Sequence, residues 1–173
     1  MKQSRIILTG FMGTGKTAVA QLLAERLKYE FLDTDLMVEK ETKKTVTEIF
    51  EVEGEESFRI YEKTMVQKAL AREKVVVATG GGAIVDPESL KLMKERGVII
   101  GLSASPEMIL KRVEAMQTRP LLKTKDKLKK IEALLSHRSP YYRQADKIVD
   151  TSSQSIEKTV DDILKFLHAN DSR

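Results

Sequence analysis

The chain has 173 residues, 41% hydrophobic and 32% charged, which describes a water-soluble fold with one core and no membrane span, since no apolar run nears the roughly 20 residues a span requires. There is no cysteine, which excludes disulfides and thiolate metal sites. The net charge of +4 is spread along amphipathic segments, and aromatics are only 5%, so the excess suits small anionic ligands better than nucleic acid.

Met1-Lys2-Gln3-Ser4-Arg5 leads straight into an apolar run, so no secretory leader is expected, and a cytoplasmic setting is. Arg5–Thr9 reads as a buried strand and Lys16–Leu27 as a helix. Between them lies Gly10-Phe11-Met12-Gly13-Thr14-Gly15-Lys16-Thr17, a complete G-x-x-x-x-G-K-[ST] phosphate loop in the strand–loop–helix context it requires. Glycines allow successive backbone N–H groups to turn around phosphate oxygens, and the helix N-terminus adds its free donors. Lys16 is expected on the β- and γ-phosphates and the Thr17 hydroxyl on Mg²⁺. The competing reading is a glycine-rich turn without a ligand.

Glu30–Leu32 reads as a second strand ending in Asp33-Thr34-Asp35. Carboxyl ends of strands are where α/β sheets gather ligands. One carboxylate can support Mg²⁺ or its water while the other faces the hydroxyl to be phosphorylated. Asp33 or Thr34 could equally serve as a helix N-cap. Helices are expected at Asp35–Glu41, Val46–Glu53 and Glu55–Arg72, the last carrying Arg59 with Glu62 three positions on. The third strand, Val75–Thr79, has no Asp at its end, which leaves Asp33 as the better metal support. Gly80-Gly81-Gly82 follows it as either a binding wall or a flexible connection.

Asp86-Pro87 and Ser105-Pro106 each place a capping side chain before Pro at a first helical position, starting helices Pro87–Arg96 and Pro106–Met116. Gly97 is a stop for the first of these, before a strand at Val98–Leu102. Gln117–Lys125 has weak periodicity, Pro120 and many charges, which marks a candidate mobile loop around Arg119. A helix over Asp126–Gln144 carries Arg138, followed by a strand around Ile148–Val149 and a helix over Ile156–Ala169. Strands alternating with helices predict a parallel sheet. Arg59, Arg119 and Arg138 matter if they converge, because guanidinium binds carboxylate and phosphate in two-bond forks. His137 and His168 are assigned no role, since transfer to a hydroxyl relies on positioning and electrostatics.

The order of these motifs resembles the shikimate kinase family over nearly the whole chain. The resemblance is carried by the phosphate loop, Phe31-Leu32-Asp33-Thr34-Asp35, Ile49-Phe50, Gly54-Glu55, Phe58-Arg59 with Glu62, Thr79-Gly80-Gly81-Gly82, Arg119-Pro120-Leu121-Leu122 and Arg138-Ser139-Pro140-Tyr141-Tyr142. It implies an α/β, P-loop nucleoside-monophosphate-kinase-like three-layer sandwich with five parallel strands. Residues 1–173 would form a single kinase domain, with a substrate-binding helical region at about 33–62 and a lid at about 112–125. The implied activity is ATP-dependent phosphorylation of the shikimate 3-hydroxyl, with Mg²⁺, on the route to chorismate and the aromatic amino acids.

Carried over position by position, ATP would be held by Gly13, Thr14, Gly15, Lys16, Thr17, Ala18, Arg112, Arg119 and Gln154. Arg112 would lie over adenine, and Gln154 would belong to the adenine loop. Shikimate would be held by Asp35, Arg59, Gly80, Gly81, Gly82 and Arg138, with both arginines on its carboxylate and Asp35 on the reacting hydroxyl. Thr17 and Asp33 would serve the metal, and Lys16, Asp35 and Arg119 would carry catalysis. Shikimate and ATP are the implied partners of a monomer, with no nucleic acid and no membrane. Val113-Glu114-Ala115-Met116-Gln117-Thr118 departs from the basic run often found before the lid arginine. The alternatives are a related kinase such as gluconate kinase, a nucleoside monophosphate kinase, and an ATP-binding regulator without turnover.

Overall fold

The computed structural model describes residues 4–116 and 126–171. Strands β1 (Arg5–Gly10), β2 (Glu30–Asp33), β3 (Val75–Ala78), β4 (Val98–Ser103) and β5 (Lys147–Asp150) form one parallel sheet in the order β2-β3-β1-β4-β5. The middle strand, β1, is flanked by β3 and β4, with Ile7 in register with both Val77 and Ile99. The chain therefore winds to one side through β2 and β3 and to the other through β4 and β5. The crevice at this reversal, at the carboxyl ends of the strands, is where an open α/β sheet receives ligands.

Alternation along β1 sorts the two faces. Ile6 and Leu8 pack under α1 (Lys16–Leu27) and α8 (Ile156–Asp171), against Val19, Leu23, Val160 and Ile163. Ile7 points the other way, toward Val66, Leu70 and Met93 of α4 (Gly54–Leu70) and α5 (Pro87–Arg96). Each of these aliphatic side chains contributes about 1.5–3 kcal/mol by leaving water. The result is the helix–sheet–helix sandwich that the resemblance implied.

Beside the sheet, α2 (Thr34–Thr42), α3 (Val46–Val52) and α4 share a small core of Val38, Ile49, Phe58 and Met65. A reciprocal cap starts α3: Thr45 accepts from the Glu48 amide at 3.2 Å while Glu48 accepts from the Thr45 amide at 2.6 Å. A further cluster joins Phe11 and Met12 to α6 (Pro106–Met116) and α7 (Lys127–Tyr142) through Ile109, Val113 and Ile131.

Element types follow the sequence expectations closely, including the Asp86 and Ser105 caps, which accept from the Ser89 amide at 2.7 Å and the Met108 amide at 3.3 Å. Three details differ. Helix α4 starts one residue early, at Gly54, whose φ of 85° is left-handed. A single 3₁₀ turn, Ala83–Val85, closes the three-glycine segment. Gly97 does end α5, but in an extended conformation (φ −149°) rather than a left-handed one. Glycine is needed there because a Cβ would sit 2.7 Å from the Arg5 carbonyl oxygen. Among the described residues, no helix is long and apolar enough to cross a membrane.

Candidate active site

The loop after β1 carries left-handed glycines at Gly10, Gly13 and Gly15, with φ of 141°, 75° and 91°. Gly10 admits no side chain, because a Cβ would lie 2.2 Å from the Leu102 carbonyl oxygen. Gly15 is the N-cap of α1 and no side chain caps that helix, so its first N–H groups are left for a ligand at the positive end of the helix dipole. The Lys16 ammonium donates to the carbonyls of Gly10 at 2.8 Å and Phe11 at 2.9 Å, which draws it back over its own loop. A cleft of about 660 Å³ runs along Gly13, Gly15, Lys16, Thr17 and Ala18 to Asp33 and Asp35.

Asp33 is the N-cap of α2, and its two carboxylate oxygens are used separately. One carboxylate oxygen caps α2, accepting from the amides of Asp35 at 2.9 Å and Leu36 at 3.2 Å. The other accepts from the Thr17 hydroxyl at 2.8 Å. Thr34 is not the cap; its hydroxyl accepts from the Gly80 amide at 3.0 Å and ties the start of α2 to the glycine segment. Thr17 and Asp33 offer two hard oxygens beside a phosphate loop, and among the described residues no cluster of three or more His, Cys, Asp or Glu could hold a metal alone. That donor set fits Mg²⁺, which keeps several waters and takes its other ligands from substrate phosphates.

Arg59, Gly80, Gly81, Gly82, Arg138 and Asp35 come together in a second pocket, with Met12, Val46, Phe50, Phe58 and Glu62. It encloses about 50 Å³ and shares Met12, Asp35, Val46, Gly80 and Gly81 with the larger cleft. The glycines have different reasons to lack side chains. A Cβ on Gly80 would lie 2.1 Å from a Glu62 carboxylate oxygen, and one on Gly82 would lie 2.5 Å from the Arg59 guanidinium. At Gly81 the nearest atom would be the Gly10 carbonyl oxygen at 3.4 Å. Gly80 and Gly82 thus admit charged protein side chains, and only at Gly81 would a Cβ stay at ordinary contact distance from its neighbours.

The two arginines are held differently. Arg59 donates to Glu62 at 2.7 Å and to Glu55 at 2.9 Å. Burial works against its charge, but these carboxylates outweigh that and hold its pKa above the usual arginine value. Glu62 is 2% exposed; burial pushes its pKa up to about 6, although Arg59 pulls the other way. Arg138 is 7% exposed and lies over the Phe11 ring, 5.7 Å from its centroid. Among the described residues it forms no direct ion pair, although its charge acts on buried Glu62.

At the far end of the cleft, Arg112 donates to the carbonyl of Gly13 at 3.1 Å and of Thr151 at 2.6 Å. The Thr151 hydroxyl donates to the Thr14 carbonyl at 2.9 Å. The phosphate loop, α6 and the segment leading to Gln154 are thereby tied together. Gln154 is half-buried in the turn before α8. Arg119 and all of 117–125 lie outside the described residues. Two side chains at the site had no role assigned from sequence, Glu62 and Tyr142. The signal for both was spacing, since each is one helical turn from an arginine, at i+3 from Arg59 and i+4 from Arg138.

The Shikimate kinase family model matches residues 12–168. The chain is 48% identical over 162 residues to a shikimate kinase of Pelotomaculum thermopropionicum, covering 94% of each. It is 44% identical over 168 residues to one of Caldicellulosiruptor saccharolyticus, covering 97% of this chain and 98% of that protein. The structure of Acinetobacter baumannii shikimate kinase in complex with shikimate superposes with a TM-score of 0.95 at 36% identity, covering 99% of this chain and 96% of that one.

Proposed function

Because the chain belongs to the shikimate kinase family, we propose that the two connected clefts seat ATP and shikimate for transfer of the γ-phosphoryl group to the shikimate 3-hydroxyl. The observation that carries this reading is the meeting of Arg59, Arg138 and Asp35 around the glycine segment, in a pocket that shares walls with the phosphate-loop cleft. Two guanidinium groups suit an acceptor bearing a carboxylate. An aspartate on the wall common to both clefts suits a hydroxyl that must face the phosphoryl group.

The backbone of Gly13–Ala18 cradles the phosphates, and Lys16 leaves its loop carbonyls for the β- and γ-oxygens. Arg59 and Arg138 hold the shikimate carboxylate, which fixes the ring so that its 3-hydroxyl lies at Asp35. Asp35 orients that hydroxyl and accepts its proton as the new O–P bond forms. Thr17 and Asp33 would hold Mg²⁺, which when bound would supply positive charge to offset that developing on the phosphates. Arg112 and Gln154 bound the adenine, and Arg119 reaches the phosphates from a lid at about 112–125. Of that span, residues up to Met116 are regular helix α6. The protein works as a monomeric single domain in the cytoplasm, on two soluble substrates.

The test is ADP release by the purified protein with ATP and, in turn, shikimate, gluconate and the nucleoside monophosphates. Turnover with shikimate alone is expected. Turnover with gluconate or a nucleotide but not with shikimate would overturn the reading. Lys16→Ala should remove turnover in a folded protein, because the lost charge faces phosphate rather than core.

A further inference from the structure

Behind the glycine wall of the acceptor pocket stands a side chain that does not line the pocket itself. Tyr142, at the end of α7, donates its hydroxyl to the Gly81 carbonyl at 2.6 Å, across 61 residues of sequence. It is four residues after Arg138 on the same helix, and its hydroxyl lies against the Arg138 guanidinium. Its ring also borders a separate, largely apolar cavity of about 420 Å³ with Phe11, Leu135 and Ile148. The ring packs against the cores around Ile84 and Ile131, and the bond to Gly81 orients its hydroxyl end.

We propose that Tyr142 is a positioning residue for the acceptor, acting through the Gly81 carbonyl and the Arg138 guanidinium without touching shikimate. The inference rests on the acceptor reading above. A trans peptide is planar, so holding the Gly81 carbonyl toward Tyr142 turns the Gly82 N–H the opposite way. One hydroxyl thus sets the tilt of the Gly81–Gly82 peptide in the glycine wall. The same hydroxyl sits beside the one buried arginine that forms no ion pair among the described residues. Burial pushes the Tyr142 hydroxyl up to about 12, so it stays a donor at every pH at which the enzyme would be assayed.

The test is Tyr142→Phe, which keeps the ring and removes one donor, beside Tyr141→Phe as the neighbouring control. Loss of a single neutral hydrogen bond at a substrate wall should raise KM for shikimate about three- to tenfold. The kcat, KM for ATP and melting temperature should stay with the parent, and Tyr141→Phe should match the parent throughout. Direct titration of shikimate without nucleotide should show the same weakening. An unchanged KM for shikimate in Tyr142→Phe overturns the proposal. So does a parallel rise in both KM values with a lower melting temperature, which would make Tyr142 a packing residue only. A parent protein that does not phosphorylate shikimate would instead remove the acceptor reading itself.

Discussion

Arg59 and Glu62, one helical turn apart on α4, form an ion pair at 2.7 Å in which the arginine is 29% exposed at its side chain and the glutamate 3%. The pair is lopsided: the cation reaches the pocket while the anion is sealed beneath it, against Gly80. A buried carboxylate of this kind supports the orientation of its partner at a cost to the fold.

That cost has a pH signature. The Glu62 pKa is raised from 4.5 to about 6, so its protonated form stabilises the fold below pH 4.5 and that contribution is lost as pH rises through 6. Glu62→Gln has no such loss. Urea unfolding of parent and variant should therefore diverge between pH 4.5 and 7.5, with the variant gaining about 2 kcal/mol relative to the parent. Its affinity for shikimate should nonetheless fall, because Arg59 loses its charged anchor. A constant stability difference across that pH range would mean that Glu62 titrates normally.

Arg138→Ala and Arg59→Ala should both weaken shikimate binding, by about 2–5 kcal/mol, with little effect on ATP. They should differ in stability. Removing Arg138 takes from buried Glu62 only the weaker of two positive charges, whereas removing Arg59 leaves Glu62 beside Asp35 with its principal cation gone. Calorimetric melting at pH 7.5 should show the larger drop for Arg59→Ala. Equal melting temperatures would contradict the pairing described here.

The three glycines should not behave alike. Gly80→Ala and Gly82→Ala each drive a Cβ into Glu62 or Arg59, and should raise KM for shikimate at least about tenfold. Gly81→Ala meets nothing closer than 3.4 Å and should keep its fold and a larger share of its acceptor affinity. The ranking of the three KM values checks this. Gly81→Ala as the most damaging of the set would mean that the wall is shaped by ligand contact and not by Arg59 and Glu62.

Asp33 and Asp35 should separate under metal titration. Asp33→Asn weakens the oxygen that accepts from Thr17, so activity should require more Mg²⁺. Asp35→Asn should lower kcat strongly, with the Mg²⁺ requirement and ATP affinity retained. Superimposable Mg²⁺ curves for the two variants would remove the division of labour between them.

Much of this was legible in the chain because the informative residues are local. The phosphate loop, the Asp86 and Ser105 caps and the strand runs each specify their conformation within a few positions. What stayed hidden is non-local. That Arg59 and Arg138 meet depends on α4 and α7 both reaching the glycine segment across the sheet edge, which no spacing encodes. The glycine triplet read as an opening for a ligand, yet Gly80 and Gly82 make room for Glu62 and Arg59, side chains from 18 to 23 positions earlier in the sequence. Gly97 was right as a stop for a different reason, close packing on Arg5 and not a left-handed turn.

Met12, Asp35, Val46, Gly80 and Gly81 belong to both clefts at once. A partition with two sides cannot be ordered on one of them alone. If shikimate fixes those five residues on binding, ATP is expected to bind the shikimate complex more tightly than the free protein, and by linkage shikimate gains the same factor from ATP; calorimetric titration of each substrate with and without the other checks this.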